Sequence, residues 1–347
     1  MFYEKFDKNL ISEYKKILID NLYGDIPDSP VKILSLAKKS YEEFGGKAIV
    51  TEYLLRAITS DGDALVFPIK TCFPKGANRN KTIISLHIEK DKPLRLGWDI
   101  PLTNPSCPTE EIIDRNWNLV TFNLLEFNNN NGRRDFNNDK ILYKYCPKSG
   151  KMAFFVWAVS RVVDFLFTLD EVDNKNIGVI GNERAGRIAM VATAFDDRIA
   201  FIHANCTGTT GACLFESQTK DSQSIEDVIL WFGWAYNKKF HEYFESGEKM
   251  PFDQHLHGYL IAPRPISVGV ASEDLFTNPS GSFDFCKAIS NAYESYGKKG
   301  FIAPTNFKVS EKYHDGKVGF YCRQGTHYLN RTDWNNALDF FDKNLNK

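Results

Sequence analysis

The stretch V-I-G-N-E-R-A-G-R-I-A-M-V-A-T-A-F, Val179 to Phe195, constrains this chain more than any other. A β-branched run stops at a glycine, and a helix-forming run rich in small residues follows at once. Gly181 and Gly186 carry no Cβ, so a strand and the helix after it can approach backbone to backbone. Glu183, between them, then sits on a tight turn at the end of a strand. Taken alone, the pattern also describes an ordinary strand-to-helix turn in which Glu183 favours the positive helix N-terminus. What surrounds it decides between the two.

Before it, Leu10, Tyr14, Ile17 and Leu18 recur at helical spacing, which predicts a helical N-terminal extension over residues 1–45. Four β-branched and aromatic runs follow, Ala48–Ile58, Asp63–Phe73, Lys81–Ile88 and Asn118–Phe127, separated by D-G-D, P-K-G-A-N-R-N and a Pro-rich loop. They suit the opening antiparallel and crossover strands of a large mixed sheet. The Asn-rich segment Phe127–Lys140 reads as a long surface loop. After it come a strongly apolar helix (Met152–Leu169), a strand (Asn176–Gly181) and the helix Glu183–Phe195. Buried strands at Ile199–Asn205 and Pro263–Ala271 and an amphipathic closing helix, Thr332–Leu345, complete the chain. Strands alternating with helices predict one doubly wound, mostly parallel α/β sheet with helices on both faces, a single domain over 46–347.

The 347 residues are 43% hydrophobic and 14% aromatic, enough to build a substantial core. A formal charge of -1 supplies no global attraction to nucleic acid or to an anionic membrane, and neither is expected as a partner. Charges interrupt every short apolar run of M-F-Y-E-K-F-D-K-N-L-I-S-E-Y-K-K, and no later run is long enough to span a bilayer, so a cytoplasmic location is expected. The seven cysteines are odd in number and scattered, which predicts reduced thiols rather than a disulfide or zinc framework. No metal and no cofactor is expected.

The region around the Gly-framed turn resembles the glucuronoyl esterases, a carbohydrate-esterase family of α/β-hydrolase fold. Their strained turn, the nucleophile elbow, reads G-C-S-R-x-G-K ahead of a helix ending in A-F-D-x-R-I-A. Here the matching residues are G-N-E-R-A-G-R and A-F-D-D-R-I-A. The resemblance continues through W-A-V-S-R-V-V-D-F-L upstream, Thr207–Phe215, P-F-D-Q-H (Pro251–His255) and L-I-A-P-R-P (Leu260–Pro265). It extends over E-D-L-F-T-N-P (Glu273–Pro279), Y-G-K-K-G (Tyr296–Gly300) and G-T-H (Gly325–His327). The fold it implies is the α/β-hydrolase fold.

Carried over residue by residue, the resemblance implies His327 as the base, after the last predicted strand. Arg184 matches the arginine implied in stabilising the oxyanion, with a helix-start salt bridge as its structural alternative. The family's acid occupies one of two loops. The first matches Cys206, in N-C-T-G where the family has E-S-G; the second falls at Glu273 or Asp274, which would orient His327 or merely pair at a helix start. Arg187 stands where the family's lysine contacts sugar hydroxyls, and Trp231 or Trp234 would supply an aromatic wall or pack in the core.

The departure is at the elbow, where the family has serine and this chain has Glu183. A carboxylate attacking an ester would form a mixed anhydride, uphill from the ester. Elbow carboxylates in other α/β-hydrolases are Asp and displace at saturated carbon; Glu is one methylene longer, which moves the attacking oxygen out of a near-attack position. The expectation is a carbohydrate-esterase-like protein that has lost the serine mechanism and keeps a pocket for a uronate or carbohydrate ester. The alternative is an active hydrolase that uses Glu183, or the Cys206 thiol, together with His327. Two further expectations follow. Glu183 and His327 should form a charge-assisted pair that raises the histidine pKa. Cys206 should open onto the same pocket, with a thiol set by opposed charges and burial.

Overall fold

Every predicted β run from Ala48 onward enters one sheet. The computed structural model describes residues 5–30, 32–88, 107–128, 138–246 and 250–345. In it the strands are β1 (Lys32–Glu43), β2 (Ala48–Ile58), β3 (Ala64–Pro74), β4 (Asn80–His87), β5 (Asn118–Asn123), β6 (Val172–Asn182), β7 (Phe201–Asn205), β8 (Ile266–Ala271), β9 (Lys312–Tyr313) and β10 (Val318–Arg323). The helices are α1 (Ile11–Leu18), α2 (Thr109–Asp114), α3 (Asn138–Tyr145), α4 (Lys151–Leu166), α5 (Glu183–Phe195), α6 (Ile225–Phe232), α7 (Lys238–Ser246), α8 (His255–Ile261), α9 (Pro279–Ser295) and α10 (Arg331–Leu345).

The sheet runs β1-β2-β3-β5-β4-β6-β7-β8-β10-β9. Its first four strands pair antiparallel, β5 through β10 pair parallel, and β9 closes the far edge antiparallel. Strands β7, β8 and β10 are buried along their whole length, because helices cover both faces of the sheet. Alternate residues serve different cores. Ile84, Val179 and Ile202 join the larger cluster with α4, α5, α8 and α9, whereas Ile83, Ile180 and Phe201 face α2 and the Trp334, Phe340 and Phe341 side of α10.

The expected helical extension is corrected. Helical structure spans Lys8–Tyr23, but residues 32–43 form β1, hydrogen-bonded to β2 along nearly its whole length. β1 is an edge strand with mostly exposed side chains, so it has no apolar alternation by which to be recognised. The position taken as a boundary, residue 45, lies in the turn of that hairpin. The run Asn118–Phe127 is strand only to Asn123 and then turns into a 3₁₀ segment.

Of the Asn-rich stretch, residues 129–137 lie outside the described residues, as does most of the Pro-rich loop. Asn138 is buried, opens α3 and hydrogen-bonds both the amide and the carbonyl of Val66, so that end of the stretch is anchored. Among the described residues no helix is long and apolar enough to cross a membrane.

Candidate active site

The sheet delivers Glu183 to the top of β6 in an unusual conformation. Asn182 is extended, and Glu183 follows at a φ of 51° as α5 begins. For a residue with a Cβ the left-handed region is strained, and such strain persists only where the surroundings impose it. An ordinary helix start has no need of it. A Cβ on Gly181 would lie 2.5 Å from the backbone of Ala185, and one on Gly186 2.6 Å from the Thr207 methyl and 2.7 Å from the Gly181 carbonyl oxygen. Both glycines are therefore required for strand and helix to close on the turn. The Glu183 side chain is partly exposed, and its Oε2 accepts a hydrogen bond from Arg184 Nε at 3.3 Å.

His327 lies on the loop after β10, and its Nδ1 donates to Asp274 Oδ2, on the loop after β8, at 2.7 Å. Asp274 is buried, and Thr277 Oγ1 donates to the same Oδ2 at 2.5 Å. The two loops are laced by Glu273 N to Gly325 O at 2.9 Å. Burial pushes the Asp274 carboxyl up, but the hydrogen bonds from His327 and Thr277 outweigh it and hold the group below the usual carboxylate range. His327 is raised, first by its hydrogen bond to Asp274, against burial; the Glu183 charge adds to the rise only after Asp274.

Several expectations change here. The carboxylate on His327 is Asp274. Glu273 turns away, and its Oε1 accepts from Gln324 Nε2 at 3.0 Å. The expected Glu183–His327 pair is not formed, because Glu183 engages Arg184 while His327 engages Asp274. The histidine is raised as expected, but for a different principal reason.

Cys206 does not open onto a pocket. It is fully buried at a φ of 43° beneath the dyad, with its Sγ, an Asp274 oxygen and a His327 nitrogen all within 4.8 Å of one another. Burial first, then the charges of Asp274 and Asp333, push its thiol well above the ordinary value, against Arg323. This trio has the donor types of a metal site. However, its His–Asp contact of 2.7 Å is a hydrogen bond, shorter than the ~3.3 Å that separates two ligands on a tetrahedral zinc.

Arg184 lies with its guanidinium 4.9 Å from the centre of the Phe232 ring. Arg187 is buried, donating Nε to Thr207 O and Nη2 to Gln223 Oε1, each at 2.7 Å. Both arginines line a small cleft walled by Met152, Phe155, Phe232 and Trp234. Trp234 is 45% and Trp231 50% exposed, which removes core packing as their explanation. Only Trp234 is on this cleft, edge-on to Phe155; Trp231 packs on Phe276 instead.

Sequence reasoning missed three supports of the site. Thr277 fixes Asp274, and Gln223 fixes Arg187. Arg323 makes a buried pair with Asp333 at 3.0 Å and donates to the carbonyls of Gln324, Thr326 and Tyr328, which clamps the loop carrying His327. An arginine at the end of an apolar strand, R in F-Y-C-R, was the only signal of that clamp.

The geometry agrees with the comparisons. The family model for glucuronyl esterases of fungi matches residues 76–297, more than half of the chain and inclusive of the elbow and the Asp274 loop. The chain is 29% identical over 196 residues to carbohydrate esterase MZ0003 of an unknown prokaryotic organism, covering 56% of this chain and 45% of that protein. It is 30% identical over 189 residues to the 4-O-methyl-glucuronoyl methylesterase of Hypocrea jecorina, covering 50% and 41%. It thus spans under half the length of these two curated relatives. Among solved structures, a promiscuous CE15 esterase from a marine bacterial metagenome superposes with a TM-score of 0.83 at 22% identity, covering 96% of this chain and 91% of that one. The glucuronoyl esterase from Solibacter usitatus gives 0.81 at 24%, covering 96% and 92%. A glucuronoyl esterase variant from Sporotrichum thermophile, in complex with methyl 4-O-methyl-β-D-glucopyranuronate, gives 0.66 at 21%, covering 95% and 79%. With the elbow, the doubly wound sheet and a family match that runs through both, this protein belongs to the glucuronyl esterase family of carbohydrate esterases, with the α/β-hydrolase fold.

Proposed function

We propose that this chain binds a small uronate or carbohydrate ester beside its elbow and is impaired in hydrolysing it by an acyl-enzyme route. The observation that carries this is Glu183 itself, a carboxylate held at a φ of 51° on the elbow of an otherwise esterase-like site. An acyl-enzyme needs a hydroxyl that His327 can deprotonate, and an ester formed in its place that water can cleave. Glu183 offers neither. Its hydrogen bond from Arg184 also ties up the cation that would meet an oxyanion. The sugar-ester pocket is supported by the ligand in the relative from Sporotrichum thermophile and by the cleft beside Arg184 and Arg187. Seven free thiols, six of them buried, support a reducing, cytoplasmic setting.

The experiment is steady-state turnover of methyl glucuronate by the wild type and by Glu183→Ser. Turnover near the uncatalysed rate in the wild type, and a rise of about a hundredfold or more in the variant, is the expected result. A second reading rests on the intact dyad at 2.7 Å: His327 and Asp274 activate a water molecule directly. Robust wild-type turnover that disappears in His327→Ala would replace the first reading with this one. Cys206 as the nucleophile is disfavoured by its burial and its raised thiol.

A further inference from the structure

β1 ends the sheet with one side unused, since it pairs only with β2. Every second residue of such an edge turns its N–H and C=O groups away from the sheet. Among the described residues, no backbone group outside this pair hydrogen-bonds to residues 38–43. The pairing with β2 shifts register only between Ser35 and Ala37, so Ala37–Glu43 is a regular run.

Edge strands that stay unpaired carry charge, lysine above all, because like charges repel an approaching strand. β1 has Lys38 and Lys39, but Glu42 and Glu43 follow them, in the order K-K-S-Y-E-E. Reversed on itself, this run meets its own opposite charges. Residues opposite each other in an antiparallel pair lie on the same face, so a two-fold axis relating two copies must pass through a residue, not between two.

A centre at Lys38, Lys39, Glu42 or Glu43 sets like charges against each other. A centre at Ser40 sets Lys38 against Glu42, which already holds Lys75 at 2.7 Å, and Lys39 against Tyr41, whose ring already has Lys70 over it at 5.6 Å. A centre at Tyr41 sets Lys39 against Glu43, and among the described residues neither has an ion-pair partner within the chain. It also sets the Ser40 hydroxyl against the Glu42 carboxylate.

We propose that β1 is a homodimer interface, in which two copies pair their β1 edges antiparallel about a two-fold axis at Tyr41 and join their sheets into one. The Lys39–Glu43 pair then forms twice, once in each direction. The far edge of the sheet offers only the two-residue β9, so pairing closes at the dimer. So short a ribbon buries little area, which places this dimer in the weak, reversible class.

The test is sedimentation equilibrium of the full chain at low salt, over about 1 to 500 µM. The wild type should show a monomer–dimer equilibrium that weakens as salt rises. Lys39→Glu or Glu43→Lys sets like charges opposite each other twice, so either should weaken it about tenfold or more, and the double variant should restore it. Lys39 is exposed, so its reversal tests the interface and not the fold. A wild type that stays monomeric over this range overturns the proposal. So does a dimer that both single reversals leave intact, which would lie on another face, or one that the double variant fails to recover.

Discussion

Asp274 and Glu183 both act on His327, with unequal strength. Asp274 is buried and hydrogen-bonded to the imidazole, while Glu183 shares its charge with Arg184. Asp274→Asn should therefore lower the His327 pKa more than Glu183→Gln does. Because the histidine is raised on folding, the stabilisation from the dyad is present below the unfolded value of about 6.5 and fades as pH rises through the folded one. NMR titration of His327 in the two variants checks the order, and the opposite order would make Glu183 its principal partner. Cys206 is tested by alkylation: at neutral pH Cys146, the one partly exposed thiol, should label first, and Cys206 only on unfolding. Labelling of Cys206 ahead of Cys146 would contradict its placement beneath the dyad. At this scale the sequence showed which residues have the right chemistry but not their pairing. Glu273 and Asp274 are neighbours in the chain, and only the backbone geometry of the loop turns one inward.

The elbow is an element that was legible from its spacing. The helix Glu183–Phe195 forms over the residues expected, and Gly181 and Gly186 are needed for the reason expected, close approach. The strength of that requirement can be measured. Gly186→Ala drives a methyl into the buried Thr207 side chain and into the Gly181 carbonyl of β6, so it should cost about 1–3 kcal/mol in urea unfolding. Gly62→Ala, in an open turn with no heavy atom near its Cβ, carries only the penalty of its positive φ, about 1 kcal/mol. Equal losses would mean that crowding at the elbow contributes nothing. The element that escaped recognition was β1. A strand buried on neither face leaves no period in its sequence, and its pairing depends on β2 rather than on its own residues.

Across the whole molecule, the near-neutral net charge conceals a population of buried neutral histidines. Burial depresses His203 to about 3 and His255, His257 and His314 to about 4. A depressed folded pKa means that the unfolded chain binds the protons. The stability these groups contribute is present above about pH 6.5 and is lost as pH falls toward the folded values, by up to about 1.4 kcal/mol per unit for each. Urea midpoints should drop steeply between pH 6.5 and about 4.5, ahead of most carboxylate titration. A flat profile across that window would mean that the histidines are hydrated in solution. The parallel half of the sheet was the most legible part of the fold, since strands covered on both faces are written as continuous apolar runs. The clamp of Arg323 on the His327 loop was the least, because its partners are mostly backbone carbonyls, which no side-chain pattern encodes.

On the proposed reading, Glu183 holds the seat of a nucleophile above a dyad still able to serve one. Intact-protein mass spectrometry after mixing with a fluorophosphonate ester, which traps an activated hydroxyl covalently, reads this directly. One adduct is expected in Glu183→Ser, mapped to position 183 and lost when His327→Ala is added, and none in the wild type. A wild-type adduct, or a variant left unmodified while properly folded, would contradict it.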